Sequence, residues 1–550
     1  MASLDFASYL LSILLSDLRQ GRISWSQARF ALRRQRAISS AFRHAKHAAV
    51  GGRRFVDPFA PYYPSPYFEK VIRNFTGDRL PPKPTYAQIA ITNLCPCACL
   101  HCHVQNTQHG DLPKEKILEL IRKLALRDFP LLFFVGGEPF SRFDDLVSFV
   151  EAARGEMDTR LFTSGVGSTP ERLRRLKSAG LVGLYVSLDH HLAAEHDRKR
   201  SHPGAFAAAC ATLREASELG FYVSAVCCTT AAMVRDGSFR EVVDLAESLG
   251  AHSIQLNEIR PVGSARGSPE PDLHLSQAEK AVLVGYYEAQ NASERPISIA
   301  MPWYLEAPER LGCMATSAQK VYVDAQGNVQ PCELLKVSFG NVLERDFLDI
   351  WDELRAAGRY PVRDCIVHDY QQLLAPGTRL PLDPAETRRT WPQMTALPPA
   401  DVYPEIFPEL AGSELRDLDA FAARYPLDLA PGVDFELHDG HWLPRLLGSE
   451  YVALGTTLYA REAGAGVPDH ELLHLAQFRR HGRLRVLGHY LRHAVPKLIA
   501  NGDLAEAFRQ VPFEVEARAY AELRRREDEP QSYQAKAAPA GTSTKRKPGT

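Results

Sequence analysis

One pattern limits the folds open to this chain more than any other. From residue 87 onward, short apolar runs of strand length recur: AQIAITN, LLFFVGGEP, TRLFTSG, GLYVSLD, FYVSAVCCT and SIQLNEI. Stretches with helical spacing separate them, such as KEKILELIRKLALRD and REVVDLAESLG. Apolar strands alternating with amphipathic helices build a parallel sheet joined by right-handed crossovers. Six such units suit a partial barrel better than a closed barrel of eight. The expected fold class is therefore α/β, a partial (β/α)6 TIM-type barrel over residues 87–300. Chemistry in such folds gathers at the C-terminal ends of the strands.

The chemistry-bearing residues fall at those ends. After the first strand comes TNLCPCACLHCHV, in which Cys95, Cys99 and Cys102 have the spacing C-x3-C-x2-C. A four-iron cluster normally takes four thiolates. With three, one iron keeps an open position that can bind and activate a small molecule. A zinc site that also uses Cys97, or plain buried thiols, is the alternative. The second strand ends in Gly136-Gly137-Glu138-Pro139, where glycines admit a ligand close to the backbone and the Glu carboxylate can accept from an ammonium group. The third ends in Thr163-Ser164-Gly165 and the fourth in Ser187-Leu188-Asp189, hydroxyl and carboxylate groups suited to a ribose. Arg198 follows and can pair with a carboxylate.

In this order, the motifs resemble the radical S-adenosylmethionine (radical SAM) superfamily over about 87–260. The resemblance implies that Cys95, Cys99 and Cys102 hold a [4Fe-4S] cluster whose unique iron binds SAM. It implies reductive cleavage of SAM to a 5′-deoxyadenosyl radical that takes hydrogen from a substrate. Gly136, Gly137 and Glu138 become the site of the SAM methionine amino group, with Ser187 and Arg198 as further SAM contacts. An electron donor such as flavodoxin or ferredoxin is implied as well. One departure is His101, where the family has a Tyr, Phe or Trp before the last cysteine.

A second cysteine group follows in 301–370, expected as a small α+β extension. Cys313 lies in LGCMAT, Cys332 ends GNVQPC and Cys365 lies in RDCIV. The segment resembles the SPASM extension, or its shorter twitch form, found in radical SAM enzymes that modify peptides. Three cysteines here stand against seven for a full SPASM domain, so the resemblance leaves open one auxiliary iron–sulfur cluster or none. Cys210, Cys227 and Cys228 read as buried thiols.

A third motif is His470-Glu471-Leu472-Leu473-His474. On a helix His470 and His474 lie one turn apart and can share one zinc, with Glu471 as general base on its water. VPFEVEARAYAEL, downstream, offers Glu514 and Glu516, and LGTTLYARE (454–462) reads as a substrate-edge strand. The segment resembles the Glu-type zinc metallopeptidases. That resemblance makes Glu514 the third zinc ligand and Glu516 its reserve, although Arg518 stands where E-x-x-A-D has its supporting Asp. His489 and His493, also one turn apart, read as solvated or core residues.

Around these motifs the expected organisation is a basic helical extension and Pro/aromatic connector (1–86) and a Pro-rich linker (371–400). A mostly α metallopeptidase-like domain (401–526) and a disordered tail (527–550) complete it. Residues 19–54 carry many Arg and Lys and no Asp or Glu. They form either a solvated helical face or a dock for an acidic partner, peptide or membrane surface. The net charge of −1 gives no overall field for nucleic acid. Ten cysteines in 550 residues are too sparse for a disulfide scaffold, and their clustering suits metal ligation in a reducing compartment. The apolar run between Asp5 and Asp17 is too short to span a bilayer and lacks the basic flank of a signal peptide. The expected location is the cytoplasm.

The expected activity is radical SAM chemistry on a peptide or protein, coupled to a fused peptidase-like domain. Radical SAM chemistry on a small-molecule cofactor precursor, a zinc peptidase as main activity, and a non-enzymatic scaffold are the other readings.

Overall fold

The computed structural model describes residues 2–24, 28, 44–56, 58–76, 84–104, 110–266, 268, 270, 272–306, 312–358, 365–367 and 380–395. It also describes the strand segments 435–438, 451–454, 457–460 and 544–546. The chain divides into two compact units, 1–407 and 408–550.

In the first unit, strands β1 (Ala48–Val50) and β2 (Arg53–Phe55) form a small antiparallel pair. The main sheet follows. Strands β3 (Tyr86–Ala90), β4 (Leu131–Val135), β5 (Asp158–Thr163), β6 (Gly183–Ser187), β7 (Tyr222–Thr229) and β8 (Ser253–Glu258) are the six expected strands. Each lies parallel to the next. Helices alternate with these strands, among them Lys114–Leu126, Phe143–Ala153 and Ser238–Ser248. Their apolar faces cover the outside, so the strands are buried on both faces and read as continuous apolar runs.

The sheet is wider than six strands: β9 (Ser298–Ala300) and β10 (Lys320–Val323) add in parallel to β8 and β3. Strands β11 (Asn328–Gln330) and β12 (Gly340–Asn341) continue it antiparallel, giving the order β12-β11-β10-β3-β4-β5-β6-β7-β8-β9. The cysteine-containing extension is thus part of the barrel sheet rather than a separate α+β body.

The Pro-rich stretch taken for a linker holds the helix Pro384–Thr395. Its Trp391 is 2% exposed, packs edge-on to Phe339 and donates through Nε1 to the Ala357 carbonyl. Burial of so large a ring outweighs the breaker signal of the neighbouring prolines.

The Pro/aromatic connector is a plug at the N-terminal ends of the strands. Phe59 stacks on Tyr86, Phe55 lies 4.0 Å from Tyr222 in a stacked pair, and Tyr185 Oη donates to the Pro58 carbonyl. Beneath them the Arg160 guanidinium donates to both oxygens of Asp158 and to Tyr185 Oη. With this floor sealed, the opposite end of the strands is left for the site.

In the second unit the described strands are β13 (Phe435–His438), β14 (Tyr451–Leu454), β15 (Thr457–Ala460) and β16 (Thr544–Arg546), ordered β14-β15-β13-β16. Strand β15 pairs on both sides, so the LGTTLYARE segment is not the expected edge. Thr544–Arg546 pairs with β13, against the expectation of disorder through 527–550. Cys365 is described, whereas His470, Glu471, His474, His489, His493, Glu514 and Glu516 lie outside the described residues. Among the described residues no helix is long and apolar enough to cross a membrane.

Candidate metal and cofactor site

The cysteine loop leaves β3 at its C-terminal end and is fixed from several directions. Asp111 accepts from Thr92 Oγ1 at 2.6 Å and from the Asn93 amide at 2.8 Å. The Gly137 and Glu138 amides donate to the Thr92 and Leu94 carbonyls, each at 2.7 Å. A Cβ on Gly136 would meet the Thr92 oxygen at 2.3 Å, and one on Gly137 the Leu94 oxygen at 2.3 Å. Only glycine allows the second-strand turn to lie this close to the loop. Across the mouth, Gly263 stands equally near the Cys102 carbonyl, where a Cβ would lie 2.1 Å from the oxygen.

The loop brings its thiols together. Cys97 is buried and bonds to both Cys95 and Cys99. These contacts push the Cys97 thiol up and its two neighbours down. Cys99 falls to about 7 through its bond from Cys97, helped by the Arg200 cation, while burial pushes Cys102 up to about 11. Easily formed thiolates are what metal ligation needs.

Glu138 differs from expectation. It is 1% exposed and its carboxylate is fully engaged. Oε1 accepts from the Phe140 amide and Thr163 Oγ1, and Oε2 from the Ser164 amide and hydroxyl. A carboxylate has about four acceptor sites. Glu138 and the Thr163 and Ser164 hydroxyls therefore tie the ends of β4 and β5 together.

Asp189 is also engaged. Its Oδ2 accepts from Arg200 Nε at 2.6 Å and its Oδ1 from the Cys228 amide at 2.8 Å, and His101 Nε2 lies 3.6 Å from Oδ2. His101, Asp189 and Cys228 bring ligand atoms within 4.8 Å of one another. The Arg200 charge on Asp189 opposes a cation there.

Arg198 does not join this cluster. It is about half exposed and pairs with Glu195 and Glu270. On the helix Ala193–Arg200 two residues are roughly 200° apart, so Arg198 and Arg200 take opposite faces. The signal was present in HDRKR, since His196, Lys199 and Arg200 recur at helical spacing and are the buried face. Ser187 ends β6, half-buried.

His196 Nδ1 accepts from the Asp189 amide, and burial holds this imidazole down at about 4. Its folded value lies below the usual 6.5, so the unfolded chain takes up the proton first as pH falls. Stability from His196 is present above about 6.5 and is lost toward 4. The melting temperature is expected to fall between pH 7 and 5, and less so in His196→Gln. Equal pH slopes in the two proteins would discard this assignment.

Beside the loop lies a cavity of about 360 Å³, with Leu100, His101, the stacked pair His190 and His191, Met233 and Ile259 among its walls. It combines aromatic and apolar surface with the hydroxyl of Thr230 and the carboxylates of Asp236 and Glu270.

The second cysteine group lies among buried charged side chains, with Glu333 3.4 Å from the Cys332 sulfur. Cys313 and Cys332 are buried and Cys365 half-buried. Burial raises each thiol, Cys332 to about 12, and the Glu306 carboxylate adds to the rise in all three. Lys320 faces Glu306 at 3.8 Å and Glu333 at 3.4 Å.

Comparison with known proteins agrees with this arrangement. Residues 89–249 match the Radical SAM superfamily model, and residues 313–366 match SPASM, an iron–sulfur cluster-binding domain. The protein is a radical SAM superfamily enzyme carrying a SPASM domain. Among its relatives, the AdoMet-dependent heme synthase of Nitratidesulfovibrio vulgaris is 26% identical, covering 49% of this chain and 79% of that protein. The PqqA peptide cyclase of Ruegeria pomeroyi is 27% identical over 51% of this chain and 76% of its own length. The sporulation killing factor maturation protein SkfB of Bacillus subtilis is 25% identical over 50% and 66%. The two domains imply [4Fe-4S] clusters and SAM. The first loop suits such a group: clustered thiols with two lowered toward thiolate, against a turn where a side chain would not fit.

Proposed function

We propose that this enzyme acts on a peptide or protein, and that Cys95, Cys99 and Cys102 hold the cluster whose open iron binds SAM. A cluster held by these thiols would supply one-electron reductive cleavage of SAM, with methionine leaving and the deoxyadenosyl carbon able to take hydrogen from the substrate. Cys97 keeps its proton and stays outside the ligand set. The Gly136-Gly137 backbone receives the methionine end of SAM, with Ser187 as a further contact. Arg200 is the guanidinium beside Cys99, and Arg198, on the wall of the cavity next to the loop, stays a further SAM contact. The cavity beside His101 suits the adenosine end, since its imidazoles and apolar walls can stack a base and its carboxylates can accept from ribose hydroxyls.

One observation carries this reading: the glycine turn is hydrogen-bonded to the very loop that holds the thiols. Peptide as substrate is supported by the SPASM domain and by the peptide cyclase and SkfB relatives. The heme synthase relatives favour a second reading, a tetrapyrrole-like small molecule. Cys313, Cys332 and Cys365 are assigned to an auxiliary cluster, and the C-terminal His470, Glu471, His474 and Glu514 to a zinc-peptidase-like site. An external flavodoxin or ferredoxin is assigned as the electron donor.

The test is anaerobic reconstitution with iron and sulfide, then SAM and dithionite, with and without short peptides encoded beside the gene. Formation of 5′-deoxyadenosine that rises with peptide is the expected result. A rise with coproporphyrin-type tetrapyrroles alone would move the assignment to the small-molecule reading. Zinc measured in the same samples is expected in wild type and absent from His470→Ala.

A further inference from the structure

Cys99 is clamped by two adjacent residues of the neighbouring helix. The amides on either side of it, Ala98 and Leu100, donate to the carbonyls of Arg200 and Lys199, each at 3.0 Å. The Arg200 side chain then turns toward the same cysteine, with Nη1 3.6 Å from Cys99 Sγ, within the range of an N–H···S bond. The rest of its fork is fixed. Nε and Nη2 both lie 2.6 Å from Asp189 Oδ2, and Asp189 is itself held by the Cys228 amide. Both members of this pair are buried, Asp189 completely. The guanidinium is thus held on Asp189 through Nε and Nη2, which leaves Nη1 toward the Cys99 sulfur.

We propose that Arg200 is a positioning residue that holds the Cys99 sulfur and makes the bound iron–sulfur cluster easier to reduce. Hydrogen bonds to cluster sulfurs and nearby charge set reduction potentials, and both act here in the same direction. Adding an electron makes the cluster more negative, and a fixed cation with an N–H donor stabilises that state more than the oxidised one. Asp189 behind the guanidinium orients it and removes part of its charge, but lies on the far side from the sulfur. For Cys99 itself the cation of Arg200 outweighs the Asp189 carboxylate. The inference rests on Cys99 being a cluster ligand.

The test uses the full chain, reconstituted anaerobically, as wild type, Arg200→Gln and Arg200→Lys. Iron and sulfide content, SAM affinity and the midpoint potential from dithionite titration followed by electron paramagnetic resonance are read on each. Arg200→Gln is expected to keep its iron while its reduction equilibrium falls on the order of tenfold, about 59 mV for one electron. Arg200→Lys, which keeps the charge, is expected to recover part of that shift. If Arg200→Gln does not assemble, Arg200→Lys decides alone: loss of the bond to sulfur with retained charge still lowers the potential, by less. An unchanged potential with weakened SAM binding overturns the proposal and makes Arg200 a SAM anchor. An unchanged potential with unchanged SAM binding overturns it too. Wild type without iron would instead sink the ligand assignment of Cys99.

Discussion

Cys99→Ser is expected to lose the iron–sulfur cluster and, with it, all 5′-deoxyadenosine above background, while Cys97→Ser keeps both. Sequence spacing places Cys97 outside the C-x3-C-x2-C set. The structure adds a physical reason that spacing alone lacks. Contact with Cys95 and Cys99 pushes the Cys97 thiol up and theirs down, which disfavours Cys97 as the thiolate. A serine hydroxyl can replace that donor at modest cost, since it still bonds to sulfur. Serine at 99 instead removes the thiol that faces Arg200 and leaves the guanidinium without its sulfur partner. Iron and sulfide content with the visible absorbance of reconstituted protein checks both variants. Iron retained in Cys99→Ser but lost in Cys97→Ser would reassign the ligand set to Cys95, Cys97 and Cys102.

Asp158→Ala is the substitution expected to cost the most stability. Asp158 and Arg160 are fully buried at the barrel floor. Burial opposes charge on the guanidinium, yet the Asp158 carboxylate keeps Arg160 firmly cationic. Asp158 also accepts from the Tyr62 amide at 3.1 Å, so it anchors the aromatic plug. Removing it strands a buried cation beside the stacked rings of Phe55 and Tyr222. Breaking one side of a buried pair costs roughly 3–5 kcal/mol, against a total of about 5–15 kcal/mol for a domain. The midpoint of urea unfolding, followed by tryptophan fluorescence, reads the loss. A shift worth under about 1 kcal/mol would mean that water reaches Arg160 or that the plug opens.

Much of the barrel was legible because its signal is local. An apolar run of five to eight residues bounded by turn residues can be recognised without its partners, and β3 to β8 fall where those runs fall. The cysteine spacing and the GGEP turn are equally local. What the sequence could not give depends on partners far along the chain. Strand β10 joins β3 across more than two hundred residues, so the cysteine extension read as a separate body. Trp391 becomes core only because Phe339 and Ala357 stand opposite it. The choice between Arg198 and Arg200 follows from which face of one helix turns toward Asp189.

By itself, then, the sequence determined the strand–helix rhythm, the thiol spacing and the glycine turn, since each is set by residues adjacent in the chain. Tertiary structure alone decided which groups remain available for chemistry. Glu138, Thr163 and Ser164 read as ligand groups in isolation, but folding brings β4 and β5 side by side, and there they satisfy one another. Buried polar groups must find partners, and the nearest ones are those the fold supplies.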